Sequence, residues 1–175
     1  MTNATQDDAV DDGPHTLKIE RVIAAPRAAV WQCWTQEALL QRWFAPAPWK
    51  VTEIALDPQP GGRFNLTMRG PEGDPIETTG MWLQVEPMDA LTFTDAYREG
   101  FIPQAESFMT SFVRLADTPG GTAMVWGARH TSAKDKERHL AMGFEGGWGQ
   151  ACTQLEAVAK GIAADDHGDA PDKAS

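Results

Sequence analysis

The sequence predicts an α+β domain: a curved antiparallel sheet of six to seven strands, with two short helices after the first strand, wrapped around one long C-terminal helix. Three observations predict it. Strand-length alternating segments follow one another through short Gly/Pro turns, with no helix between most of them, so they pair as an antiparallel meander. Near the C-terminus, Trp148, Cys152, Leu155, Ala159 and Ile162 recur at steps of four and three, the stripe of an amphipathic helix. That helix is the only segment long enough to cover the apolar face such a sheet exposes.

The elements follow in order. TLKIERVI (16–23) is a strand. Pro26 suits a helix's first turn, and two short, tightly joined helices fit 26–33 and 36–43, with Thr35 as N-cap of the second. Pro46 and Pro48 end helical structure. WKVTEIAL (49–56) is a strand, DPQPGG a turn, and RFNLTMRG (63–70) a strand with Phe64, Leu66 and Met68 on one face. IETTGMWLQVEP (76–87) has apolar residues on both faces, so alternation leaves open whether Trp82 or its neighbours Met81 and Leu83 point inward. LTFTDAY (91–97) places Leu91, Phe93, Asp95 and Tyr97 on one side. ESFMTSFVRL (106–115) aligns Phe108, Phe112 and Arg114, and TAMVWGARH (122–130) pairs Met124 with Trp126. Gly143, Gly146, Gly147 and Gly149 crowd the start of the last helix, each costing about 1 kcal/mol against Ala. The expectation is that they let a neighbouring backbone come close, with Trp148 filling the space beside it.

The chain has 175 residues and a net charge of −10. Residues 1–15 hold Asp7, Asp8, Asp11 and Asp12 without a Lys or Arg, and 164–175 hold four Asp against Lys173. The acidity therefore belongs mostly to two polar tails expected to be disordered, 1–15 and 164–175, around a domain at 16–163. The absence of a basic patch with interleaved aromatics argues against nucleic acid. No apolar run is long enough for a membrane span and no signal peptide is visible, so a cytoplasmic protein is expected. Cys33 and Cys152 lie far apart at apolar helix positions and read as buried free thiols.

Several motifs in one order carry a resemblance. APRAAVWQCWTQEALLQRWFAP, PGGRF, GMWLQVEP, LTFT, GGT and MGFEGGW, spread over about 16–162, are similar to the proteins homologous to the C-terminal domain of the activator of the 90-kDa heat-shock-protein ATPase. The resemblance implies the START-like superfamily and its helix-grip fold, in which a cavity lies between the long helix and the sheet. It also implies binding of hydrophobic small molecules, the common reading of stand-alone relatives. Other members of the superfamily are polyketide cyclases or dehydratases. The chaperone-stimulating namesake joins this domain to a separate N-terminal one, for which fifteen upstream residues are too few.

Chemistry-bearing motifs are sparse. His130 ends the last strand and His139 lies between it and the helix stripe, neither with a partner at metal-ligand spacing. No nucleophile elbow or phosphate cradle occurs, and neither a metal nor a cofactor is expected. For a catalytic alternative the candidates are Glu145, Asp95 and Tyr97. Glu145 stands three residues before Trp148, and if that face meets a cavity, desolvation would raise its pKa and suit acid–base work. For a binding site, the expected wall is Trp43, Phe64, Leu66, Met68, Trp82, Phe93, Phe108, Phe112, Met124, Trp126, Met142, Glu145, Trp148 and Cys152. The expected partner is a lipid-like or aromatic small molecule held without catalysis. A cyclase- or hydratase-type enzyme using a cavity carboxylate and a chaperone-stimulating domain are the alternatives, and a chaperone or a second copy of the chain is the protein partner left open.

Overall fold

A computed structural model of the chain describes residues 10–168, so the outer parts of both tails, 1–9 and 169–175, lie outside the described residues. Among the described residues, nine strands and four helices follow in the order β1 (Thr16–Ile23), α1 (Arg27–Thr35), α2 (Glu37–Leu40), β2 (Lys50–Leu56), β3 (Arg63–Arg69), β4 (Ile76–Glu86), β5 (Ala90–Thr94), β6 (Tyr97–Arg98), β7 (Ile102–Pro103), β8 (Thr110–Thr118), β9 (Gly121–Arg129), α3 (Ala133–Ala141) and α4 (Phe144–Gly168). Seven strands form one antiparallel sheet in the order β1-β9-β8-β5-β4-β3-β2, and β6 and β7 make a separate small hairpin. The sheet curls around α4 in the helix-grip arrangement. Among the described residues, no helix is long and apolar enough to cross a membrane.

The alternation that defines the strands also decides what they bury. Phe64, Leu66, Trp82, Leu91, Phe93, Val113, Leu115, Met124 and Trp126 turn inward, where α1 and α4 bring Val30, Trp34, Cys152, Leu155 and Ala159 against them. A shift of register between Trp82 and Gln84 kinks β4, and the side chain that enters the core is Trp82. Met81 faces the other way, under the β6–β7 hairpin, where its sulfur accepts from the Phe101 N–H. Side chains on α4 fasten it to the loops around it. The Gln154 amide donates to the Trp43 and Ala45 carbonyls at 2.8 Å and accepts from the Ala47 N–H, while Glu156 accepts from the Ala24 N–H. Cys33 and Cys152 are both free and buried, and burial pushes their thiols up to about 12 and about 11.

Four local expectations are corrected. Thr35 is the last residue of α1, and its hydroxyl donates back to the Trp31 carbonyl; Gln36 caps α2 instead. β5 ends at Thr94, so Asp95 and Tyr97 do not share its inward face. An additional helix, α3, stands between β9 and α4, started by Ser132, whose hydroxyl oxygen accepts from the Asp135 N–H. Phe112 lies on the outer face of the sheet: its ring covers Gly127, where even a Cβ would collide with it, and the Arg114 and Arg129 guanidinium groups stack over it at 4.6 and 4.1 Å.

Those two arginines hold Asp12, a residue placed in the N-terminal tail by composition. Asp12 receives both guanidinium arms of Arg114 at 2.7 and 3.0 Å, Arg129 at 3.2 Å and Lys18 at 3.3 Å, and its side chain is only 6% exposed. The Arg114 hydrogen bonds, against the opposing effect of burial, bring its carboxyl down to about 2. A carboxylate whose folded pKa is depressed stabilises the fold above its ordinary pKa, and the gain is lost as pH falls through the folded value. The contribution, about 2 kcal/mol at pH 7, should therefore fade between about pH 4 and pH 2. Asp12→Asn is expected to lower urea-unfolding stability by that amount at neutral pH, with the gap to wild type closing on acidification. Parallel pH curves for the two proteins would contradict this role. At the other end, α4 continues to Gly168, past the expected domain limit at 163.

Candidate functional site

The space between sheet and helix is filled at one end and hollow at the other. The filled end is built around Trp34, which meets Trp43 edge-to-face at 4.6 Å and Trp126 at 5.1 Å. The Trp43 indole N–H donates to the Cys33 carbonyl at 2.9 Å, fixing the ring in the core. Phe64 stacks on Phe93 at 4.1 Å, with Trp82 against both. The hollow end lies where α3 turns into α4. There a cavity of about 270 Å³ is walled by Phe64, Met68 and Phe93 from the sheet, Phe108 from the loop before β8, and Phe144 and Trp148 from α4. Ile76 and Met142, two of the more exposed large apolar side chains, line it as well and mark its mouth.

Local sequence explains the hollow. Gly143, at a φ of +88°, ends α3 in the left-handed conformation that glycine adopts without cost and turns the chain into α4. Gly147 then brings no side chain to a wall that Trp148 and Ala151 flank. A Cβ at Gly147 would meet only the Pro46 ring, at 3.8 Å. The expectation that these glycines serve close backbone approach is thus corrected: around Gly147 the missing side chain leaves room.

Of the residues expected to wall the site, Phe64, Met68, Phe93, Phe108, Trp126, Met142 and Trp148 line the cavity together. Trp43, Leu66, Trp82, Met124 and Cys152 are buried in the filled core, and Phe112 is outside the sheet. Glu145 is exposed and stands with Lys18, Glu20 and Arg21 beside β1. Phe144, four residues before Trp148, takes the inward position that spacing also offered to Glu145. Asp95 does not reach the cavity. Its carboxylate accepts from the Ser107 hydroxyl at 2.7 Å and from the Phe108 and Met109 N–H groups, so it shapes the loop that carries Phe108. Tyr97 is exposed on the β6–β7 hairpin. Among the described residues, no acidic side chain lines the cavity.

The sequence did not point to Phe44, Pro46, Ile76, Thr78, Met109, His139, Phe144 and Ala151, whose side chains also wall the cavity. Ser132-x-x-Asp135 is the helix-start signal that could have announced α3, and with it the inward position of His139 on its last turn. His139 is buried among Phe108, Phe144 and Trp148, with ring centroids 5.0 to 5.5 Å away. Its Nδ1 lies 3.0 Å from His130 Nε2, and His130 Nδ1 lies 2.7 Å from the Phe108 carbonyl oxygen. Burial, with the neighbouring His130 as a smaller cause, lowers the His139 pKa to about 4. Among the described residues no third His, Cys, Asp or Glu joins the pair to form a metal site.

The fold recurs in solved structures. Protein NE0264 from Nitrosomonas europaea is 34% identical, with a TM-score of 0.82 over 85% of this chain and 96% of that one. Protein Ms6760 from Mycobacterium smegmatis is 27% identical, with a TM-score of 0.70 over 82% and 89%. An AHSA1-like protein from Aeromonas hydrophila, 22% identical, shares the fold at a TM-score of 0.63 over 84% of this chain and 93% of its own. Among curated proteins none matches. The family model described as activator of Hsp90 ATPase homolog 1-like protein matches residues 24–160, most of the chain, and the protein therefore belongs to that family.

Proposed function

We propose that the protein binds an apolar or amphipathic small molecule in the cavity between the sheet and α4. The observation that carries this reading is the cavity itself: about 270 Å³, walled almost wholly by aromatic and aliphatic side chains, with apolar residues at its mouth. Small-molecule sites are typically concave and apolar, with few polar groups to set orientation. An apolar cavity of about 150 Å³ takes benzene. In proportion, this one admits a ligand of about ten or eleven heavy atoms, the size of two fused aromatic rings. Of the rival readings, a carboxylate-driven enzyme has no support in the cavity wall, since Glu145, Asp95 and Tyr97 all lie elsewhere. The family's association with a heat-shock-protein ATPase supports a chaperone partner only at the level of the family name.

The test is a titration with 2-methoxynaphthalene followed by amide and indole NMR. The expected result is saturable shifts at Trp126, Phe144 and Trp148, with the Trp82 indole, in the filled core, little moved. Shifts scattered over the surface, or none, would remove the reading.

A further inference from the structure

The cavity wall carries two polar side chains other than its indoles, the half-buried Thr78 and His139. His139 is only 6% exposed, and its Nε2 has no protein partner among the described residues. Which protons the two histidines carry follows from their order. The Phe108 carbonyl can only accept, so His130 Nδ1, 2.7 Å away, must hold a hydrogen. A neutral imidazole has one N–H, which leaves His130 Nε2 a lone pair. The proton in the 3.0 Å contact between the rings must then come from His139 Nδ1. His139 is left with its single hydrogen engaged with His130 and a bare lone pair on Nε2. The chain runs from the free nitrogen, through both rings, to a backbone carbonyl that Asp95 helps to place.

The surroundings keep His139 uncharged. Each ring of the pair is buried, and among the described residues neither is bonded to a carboxylate. Burial without a counter-charge disfavours imidazolium. The low pKa of His139, about 4, agrees. An acceptor already stripped of much of its water gains more from a new hydrogen bond than an exposed one does.

We infer that the cavity selects an apolar ligand bearing one hydrogen-bond donor, with a hydroxyl as the simplest case, and that His139 Nε2 accepts that hydrogen. The inference rests on the binding reading above and narrows it. A carboxylate of the same size is disfavoured, because it brings a second set of lone pairs, and a negative charge, to the His139 lone pair in an apolar cavity.

Three probes that share one naphthalene frame test it at pH 8, above the ordinary histidine range: 2-naphthol, 2-methoxynaphthalene and 2-naphthoate, by isothermal titration. The naphthol is expected to bind about tenfold more tightly than the ether, with the naphthoate weakest, and His139→Phe is expected to abolish the advantage of the naphthol. Equal binding of naphthol and ether by the wild type would overturn the donor requirement and leave the cavity reading standing. Failure of all three to bind would overturn both. Imidazole ¹⁵N spectra of the wild-type protein give a measurement independent of how the variant folds. They should show the Nδ1–H form for both His130 and His139; an Nε2–H form at His139 would overturn the inference.

Discussion

Gly147→Phe is expected to close the cavity and weaken 2-methoxynaphthalene binding by at least about a hundredfold while leaving the fold intact. Gly147 lies on α4 at the cavity wall, and an added Cβ meets only Pro46 at an ordinary 3.8 Å. Replacing a helical glycine also removes a conformational cost of about 1 kcal/mol. A phenyl ring turned inward from this wall position needs roughly the 150 Å³ that accommodates benzene, more than half of the 270 Å³ present. A hundredfold loss corresponds to about 2.7 kcal/mol, the scale of burying one large apolar group. Titration calorimetry together with a thermal melt decides the matter. Unchanged affinity in a folded variant would mean that the ligand sits elsewhere.

Trp43→Ala is expected to have the opposite profile, a loss of about 4 kcal/mol in stability through the filled end of the interior. The side chain is fully buried, packs against Trp34, Phe44 and Trp126, and donates to the Cys33 carbonyl. Truncation removes the burial, opens a cavity among rings that have little room to collapse, and orphans that carbonyl. Trp148→Ala, at the edge of a space already hollow, should cost distinctly less. Urea unfolding of the two variants measures the contrast. Similar losses would contradict the division of the interior into a packed half and an open half.

Much of this architecture was legible because it follows from periodicity. The strands from Thr16 to Arg129 and the stripe Trp148–Cys152–Leu155–Ala159 on α4 are written as twofold and 3.6-fold repeats, and the sheet and helix form where those repeats fall. The site was less legible because it depends on phase. Phe108 and Phe112 read as one face only if a single strand runs through both, yet β8 begins at Thr110, so one ring enters the cavity and the other goes outside under Arg114 and Arg129. Glu145 and Phe144 both satisfy a spacing rule to Trp148, yet Phe144 is buried and Glu145 is exposed. Asp12 sat in a polar, acidic stretch whose composition says nothing of three cations waiting on the sheet. The histidine pair was hidden for a different reason: His130 and His139 are nine residues apart, joined only because α3 folds back from the end of β9.

The central claim is that the hollow end of the grip holds a small apolar molecule. Native mass spectrometry of the protein purified from its own host, before and after organic extraction, tests it most directly. The account predicts a discrete adduct that extraction removes, with the mass of a hydroxyl-bearing compound of about ten or eleven heavy atoms. A protein that flies at its bare mass from the host, and again after incubation with 2-naphthol, would contradict it.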